Sequence, residues 1–369
     1  MSIGLVDLAR QRAALEPGVT QALARVLDHG GFINGPEVAA LETALAARVG
    51  LPHVVACANG TDALQLLLRG WGVGQGDCVY VPSLTFAATA EAVVLAGAVP
   101  VFVDVTANGT ICPQSLRDAL AVPRAGRSVA VIAVDLFSLP ADHAALSQIC
   151  TEAGLALFYD AAHSIGSDSA AGACGSLGDG AATSFYPSKA LGCYGDGGAV
   201  FTRHADFAAR MRAIANHGLV TGSPAHGVVG TNSRLDTMQA AVLLEKLKVF
   251  DAETKARRAI AARYAAALAG VCTLPAADAG AAPVWSYYAI RHADRDGLQR
   301  HLLTQDIRTV IYYRTPTHEH PAFARYPTAP AGLPATKAFA DSMICLPLHP
   351  YLTDAEIDRV IAGVLSFSA

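Results

Sequence analysis

The run Ser184-Phe185-Tyr186-Pro187-Ser188-Lys189, with Gly192, Gly195, Asp196, Gly197 and Gly198 close behind it, is the stretch from which the rest of the chain can be read. A short apolar strand, Ala181–Phe185, brings the chain to the edge of a sheet, and small residues then surround a lysine. In that setting Lys189 can reach a bound group and condense with an aldehyde to form a Schiff base. By itself the run also reads as a solvated loop lysine among glycines. Its meaning depends on partners elsewhere in the chain.

Two segments supply them. The run Leu155-Ala156-Leu157-Phe158-Tyr159 reads as a buried strand that delivers Asp160 at its carboxyl end, followed by Ala161-Ala162-His163-Ser164. Chemistry in open α/β sheets gathers at that end of the strands. A carboxylate there can hold the proton on a pyridine ring nitrogen; a helix N-cap is the other reading of Asp160. His163 can touch such a ring or orient Asp160, or be a structural histidine. The second segment, Asn59-Gly60-Thr61-Asp62-Ala63-Leu64, follows the apolar run Val54–Ala58 and opens a helix. A strand, a glycine turn and a helix N-terminus present free N–H groups to an anion, to which Thr61 can add a hydroxyl. Asp62 sits awkwardly beside a phosphate, so its side chain is expected to cap the helix and point away. A plain capped turn is the alternative. Lysine, carboxylate and anion site together are what pyridoxal 5′-phosphate (PLP) requires.

Around these segments the chain has a βα rhythm. Strand patterns occupy His53–Ala58, Cys78–Val81, Pro100–Val103, Val129–Val134, Leu155–Tyr159, Ala181–Phe185 and Ala199–Thr202, with helical patterns at Glu37–Arg48, Ala87–Ala96, Pro113–Ala121 and Ala141–Ala153. Such alternation predicts an α/β fold with a mostly parallel, doubly covered sheet. A long helical pattern from Leu235 to Leu268 leads into a smaller region. There the runs Tyr287–Arg291 and Ile307–Tyr313 and a helix Thr353–Ser366 suggest a small α+β unit. The expected division is a large domain over residues 1–250 and a small C-terminal domain over 251–369.

Composition narrows the function. With 369 residues, 52% hydrophobic and only 16% charged, the chain suits a well-buried enzyme rather than a disordered scaffold. A net charge of −4 with no basic block makes nucleic acid an unexpected partner. Eight cysteines, none in a C-x-x-C pair, argue against a zinc site or a disulfide framework and suggest a reducing cytosol. His318-Glu319-His320 lacks further ligands, so no metal is expected. No basic leader precedes an apolar core at the N-terminus, and no apolar run approaches the ~20 residues of a membrane span; a cytoplasmic location is the expectation.

Six segments in register resemble one family. They are Gly31–Val38, Pro82–Thr89, Asp160–Ser164, the lysine loop, Gly230-Thr231-Asn232-Ser233-Arg234-Leu235-Asp236 and Leu346–Pro350. The family is the DegT/DnrJ/EryC1/StrS group of PLP-dependent nucleotide-sugar aminotransferases, and the resemblance covers nearly the whole chain. It implies the aspartate aminotransferase-like type I fold of PLP-dependent transferases: a large domain with a mixed, mostly parallel sheet and a small α+β domain. It implies that Lys189 is the Schiff-base lysine and proton shuttle, and that Asp160 faces the pyridinium with His163 beside it. Gly60, Thr61, Asp62 and Ser184 would hold the phosphate, and Phe86 would stack on the ring. Asn232 would reach the phosphate of a neighbouring subunit, which makes the expected assembly a homodimer with shared active sites. A lysine at position 189 argues against the family's dehydratase branch, which carries histidine there.

The resemblance further implies transfer of an amino group from L-glutamate to a keto sugar linked to UDP or dTDP, in making an amino sugar for a surface polysaccharide such as lipopolysaccharide or for a glycosylated metabolite. The spelling around Asn59 and Lys189 is most similar to members that aminate C3, in particular those acting on UDP-2-acetamido-2-deoxy-3-oxoglucuronate. Arg234 would then receive the sugar carboxylate, for which a bidentate guanidinium is suited. One stretch departs from the pattern. Tyr312-Tyr313-Arg314 stands where relatives place a proline after the aromatic pair. Tyr312, Tyr313 and Arg314 are therefore substrate-side candidates, and Arg314 either meets an additional anion or points to solvent. A 4-keto sugar enzyme of the same family and a non-catalytic PLP-binding regulatory protein are the alternatives.

Overall fold

A computed structural model describes residues 2–220 and 222–368. Apolar runs, most of them rich in β-branched residues, pair as the main strands, and all strands are named here in chain order: β1 (His53–Cys57), β2 (Cys78–Pro82), β3 (Val99–Val103), β4 (Ser128–Val134), β5 (Ala156–Asp160), the two-residue ribbon β6 (Asp168–Ser169) and β7 (Gly172–Ala173), the small-residue β8 (Gly180–Ser184) and β9 (Gly198–Thr202). Seven of them form one sheet in the order β1-β9-β8-β5-β4-β2-β3. Only β9 runs against its neighbours; the pairings from β8 through β5, β4 and β2 to β3 are all parallel. Six strands therefore end on the same edge, and the loops carrying Asn59, Phe86, Asp160 and Ser184 leave the sheet there. This is the α/β architecture that the sequence predicts.

Helices Pro36–Val49, Gly60–Trp71, Ala88–Leu95, Pro113–Leu120, His143–Ala153 and Ala205–Ala215 cover the sheet. The one that matters most for the site is Gly60–Trp71. Asn59 caps it, its side-chain oxygen accepting the Asp62 N–H at 2.8 Å, and Gly72 ends it in the left-handed conformation. The expected cap was Asp62; that residue instead occupies the first turn. Asn59 wins because its extended backbone turns the side chain back over the helix start. The helix start lies so close to β8 and β9 that only glycine fits. A Cβ on Gly60 would stand 2.7 Å from Ser184 Cβ, and one on Gly198 would stand 2.4 Å from the Asn59 carbonyl oxygen.

The helix Thr237–Leu268 links two cores. Leu243 and Phe250 pack with the sheet strands, whereas Ile260, Tyr264 and Leu268 pack with Ile290, Leu302, Ile344 and Val360. Ile3, from the other end of the chain, joins that second core. The point between residues 250 and 251 lies inside this continuous helix. Beyond it, β10 (Tyr288–Arg291) pairs antiparallel with β11 (Met343–Leu346), and helices Arg295–Thr304 and Asp354–Ser368 pack beside them. Ile307–Tyr313 forms no strand of its own. It makes only single bridges, Ile3 with Ile307 and Val310 with Cys345. A third apolar cluster, with Leu84, Val134, Phe137, Tyr287 and Phe339, joins the sheet edge to β10 and β11. No helix among the described residues is long and apolar enough to cross a membrane.

Candidate active site

Where the strands end, a cleft of about 800 Å³ opens between the sheet edge and the 287–313 region. Gly60, Thr61, Asp62, Phe86, Asp160, His163, Ser184, Lys189, Tyr312 and Tyr313 all line it. The structure thus gathers ten of the thirteen residues that the sequence marks as site candidates. Asn232, Arg234 and Arg314 do not line the cleft of their own chain. Asn232 is exposed, and Arg234 donates to Asn216 Oδ1 at 2.9 Å. Arg314 points to solvent and grips Asp296 with both terminal nitrogens, at 2.8 and 3.1 Å. Asp296 belongs to the helix beginning at Arg295, so this guanidinium is committed to a surface ion pair.

Asp160 is buried at the end of β5. Its Oδ2 accepts the hydroxyl of Thr89 at 2.9 Å, and its Oδ1 accepts the Ala162 N–H at 3.2 Å. Burial pushes its carboxyl above the usual carboxylate range, while these two donors and the Lys189 ammonium push it back. Lys189 sits in a turn, its N–H bonded to the Tyr186 carbonyl at 2.8 Å, with Nζ 5.8 Å above the Tyr287 ring. Burial lowers its amine from 10.5 to about 8, and the Asp160 charge opposes that drop. The lysine loop is itself anchored, because Cys193 N–H returns to the Phe185 carbonyl at 2.7 Å.

His163 does not orient Asp160. Its Nδ1 accepts the Phe137 N–H at 3.3 Å, and its ring lies nearly parallel to the Phe137 ring. Burial, with the Lys189 charge second, holds its pKa well below the usual histidine value. A neutral ring whose Nδ1 accepts carries its proton on Nε2. Phe86 is 57% exposed, unusual for a phenylalanine beside a buried helix start, and it leans on Tyr313 with ring centres 6.1 Å apart. An exposed aromatic at a cleft mouth is a stacking surface waiting for a flat partner.

The cleft also contains residues to which the sequence assigned no site role of their own: Asn59, Thr85, Tyr186, Asp196 and Tyr287. Behind it Thr89 completes the surroundings of Asp160. Thr85 lies in the loop before the helix Ala88–Leu95, so its contact with Thr89 is set by that loop and no helical spacing signals it; nothing local signals Tyr287 either. The donor set fits PLP. A buried carboxylate can face the ring nitrogen, an amine can face the aldehyde, and Gly60 and Thr61 lead a helix whose first N–H groups have no intrahelical partner. Ser184 stands against Gly60 at the same helix start, its Oγ accepting the Tyr186 N–H at 3.2 Å. Among the described residues no group of three or more His, Cys, Asp or Glu side chains could hold a metal ion. His318 instead meets Ser83 Oγ through Nδ1 at 2.6 Å.

Known proteins are similar to this chain along nearly its whole length. The profile of the DegT/DnrJ/EryC1/StrS aminotransferase family matches residues 15–365. A UDP-2-acetamido-2-deoxy-3-oxo-D-glucuronate aminotransferase of Pseudomonas aeruginosa is 40% identical over 98% of this chain and 99% of its own. A dTDP-3-amino-3,4,6-trideoxy-alpha-D-glucose transaminase of Streptomyces venezuelae is 38% identical over 98% of this chain and 95% of its own. Among solved structures, that of a DegT DnrJ EryC1 StrS aminotransferase from Brucella abortus superposes with a TM-score of 0.98, at 44% identity over 100% of both chains.

Proposed function

Because this chain belongs to the DegT/DnrJ/EryC1/StrS aminotransferase family and is a PLP-dependent sugar aminotransferase, we propose that it transfers the amino group of L-glutamate to C3 of a nucleotide-linked 3-keto sugar. The product would be an amino sugar destined for a surface polysaccharide or a glycosylated metabolite. The observation that carries the position of amination is that both relatives described above are named for position 3 of the sugar, on UDP in one and dTDP in the other. They align over nearly the full chain, so the comparison covers the cleft itself.

The cofactor, when bound, supplies an electron sink that stabilises negative charge at the carbon losing its proton. The chain supplies the rest. Lys189 Nζ, neutral more readily because it is buried, removes the proton from the α-carbon of the donor and returns one to the sugar carbon that receives the amine. Asp160 keeps a proton on the ring nitrogen by charge. Gly60 and Thr61 N–H groups, with Thr61 and Ser184 hydroxyls, hold the phosphate. Phe86 would cover one face of the ring, and Tyr312 and Tyr313, which line the same cleft, would border the sugar.

The same reading has two copies sharing their sites, with Asn232 and Arg234 serving the neighbour's cleft. In support, both residues stand outside the cleft of their own chain, and the segment leading to them exposes Leu219, Val220 and Val229, the last at 87%.

The test is a spectral screen. Enzyme pre-loaded as the pyridoxamine phosphate form is mixed with 3-keto and 4-keto sugars on UDP and on dTDP. Return of the aldehyde spectrum with a 3-keto sugar is expected. A response confined to 4-keto sugars would move the site of amination to C4.

A further inference from the structure

Asp160 is held by a chain of hydroxyls that no catalytic step uses. Thr89 Oγ1 donates to Asp160 Oδ2 at 2.9 Å. Thr85 Oγ1 lies 2.8 Å from Thr89 Oγ1. Both threonines are buried, Thr89 completely. An ionised carboxylate only accepts, and a hydroxyl has one proton to give. Thr89 has committed its proton to Asp160, so at the contact between the two threonines Thr85 is the donor. The chain therefore has one direction, from Thr85 through Thr89 to Asp160.

The start of this chain is anchored from the far end of the sequence. Thr317 Oγ1 donates to the Thr85 carbonyl at 3.0 Å, and Thr317 N–H donates to the Ser83 carbonyl at 2.9 Å. The short turn Thr317–Glu319 thus clamps the Ser83–Phe86 loop, which carries both the exposed Phe86 ring and the first hydroxyl of the chain. A bond that points one way along a buried path is strengthened by the next, because each donor polarises its neighbour.

We propose that Thr89, polarised by Thr85, is a positioning residue of the reaction: it fixes the carboxylate plane of Asp160 toward the cofactor's ring nitrogen and keeps that carboxylate charged. The inference rests on the reading of Asp160 as the ring-nitrogen partner. The geometry leaves Thr89 no other evident purpose, since its hydroxyl is buried and touches only Thr85 and Asp160. The Ala162 N–H holds the other oxygen, Oδ1, at 3.2 Å, so Thr89 is the side-chain donor that fixes Oδ2. Lys189 attracts its charge without fixing its plane, and Asp135 repels it from the end of β4. Tyr313 feels its charge from the opposite wall, and His163 is engaged by Phe137.

The experiment compares holoenzyme carrying Thr89→Val, Thr89→Ser, Thr85→Val or Asp160→Asn with the parent. Three quantities are read: the PLP dissociation constant, the pH titration of the bound cofactor's visible band, and kcat beside KM. Thr89→Val keeps the side chain's shape and removes the donor. It should weaken PLP binding about tenfold, as expected for one hydrogen bond to a buried charge, and lower kcat with little change in KM. It should also displace the visible titration. Thr89→Ser should restore all three to within about twofold. Thr85→Val should move them in the same direction by less, because Thr89 still donates. Should Thr89→Val be insoluble, Thr85→Val decides: a smaller shift of the same sign supports the proposal, and no shift overturns it. An impaired Asp160→Asn beside a Thr89→Val with parental affinity and titration would overturn the role of Thr89 alone. A silent Asp160→Asn would remove the underlying reading and this inference together.

Discussion

The amine of Lys189 offers the sharpest quantitative test. Burial brings its pKa from 10.5 to about 8, and the one charge opposing that change is Asp160. At pH 7 an amine with a pKa of 10.5 is neutral in about one molecule in 3,000, whereas at a pKa of 8 it is neutral in about one in ten. The cleft thus raises the supply of free base roughly 300-fold at neutral pH. The perturbation is pH itself, applied to cofactor-stripped protein, where the amine is free. Trace labelling with an amine acylating reagent, read by peptide mass spectrometry, gives the titration of Lys189, with exposed Lys337 in the same sample as reference for reagent decay. A midpoint near 8 is expected. Asp160→Asn removes the charge that favours the ammonium, so its midpoint should fall below that of the parent. A parental midpoint above ~9.5, or an upward move in Asp160→Asn, would refute the argument that burial in this cleft prepares the base.

Asp160→Asn should leave the melting temperature nearly unchanged and reduce kcat about a hundredfold or more, the scale of losing one electrostatic partner in a preorganised site; near-parental turnover would make Asp160 a structural residue only. A mixture of inactive Lys189→Ala and inactive Asn232→Asp chains, with subunit exchange verified by mass spectrometry, should regain partial activity, because a mixed dimer has one site with both residues intact. Its interface should bury more than about 2,000 Å² in total, and a fully active monomer would end the shared-site reading. Arg10 donates to both carboxylate oxygens of Glu356 at 2.8 Å and holds that carboxyl down to about 2. Since the folded-state value is depressed, the stability this pair contributes is present above 4.5 and is lost as pH falls toward 2. Arg10→Gln should therefore melt a few degrees below the parent at pH 7, and the gap should close across that acid window. A gap that persists at pH 2 would mean that Arg10 acts through contacts that do not titrate, such as its bond to the Tyr351 carbonyl at 3.0 Å.

What the sequence revealed, and what it hid, follows from the range of the interactions. The parallel strands are runs such as Val129–Val134, whose β-branched and apolar side chains fit a sheet covered on both faces. Their ends shifted by only a residue or so in the structure, as with β5, which starts at Ala156 and ends at Asp160 itself. Local capping was harder to read. Asn59 and Asp62 both suit a helix start, and the choice turned on the backbone angle of Asn59, which composition does not encode. Met343–Leu346 is a strand only because β10 lies beside it, and four apolar residues before a proline carry no period of their own. Thr89 and Asp160 are 71 residues apart, and Thr317 is 232 residues from Thr85. Such contacts come into being only when the sheet assembles. That Lys189, Asp160 and the Asn59–Asp62 turn meet in one cleft was legible because each follows the end of a strand of the same sheet.

The distribution of site candidates also bears on how sugar choice is built. Lys189, Asp160, His163, Ser184 and the Gly60 turn, which would handle the cofactor and the proton, are all rooted at strand ends of one sheet and line one cleft. The cationic candidates for reading the sugar are not. Arg234 lies outside that cleft, and Arg314 is held on the surface by Asp296. If two copies share their sites, Arg234 of one meets the sugar in the cleft of the other, and substrate choice is carried by a segment separate from the proton-handling framework. Changes there can alter the sugar accepted without disturbing Asp160 or Lys189. Relatives with 40% and 38% identity, similar over nearly the whole chain yet named for sugars on different nucleotides, are what such a division of labour produces. The Arg314–Asp296 pair tests its outer limit. Because Arg314 neighbours Tyr313 of the cleft wall but spends its charge on Asp296, Arg314→Pro should change KM for the sugar by no more than about twofold, the modest worth of an exposed ion pair. A tenfold or larger rise in KM would show that the guanidinium leaves Asp296 for the substrate.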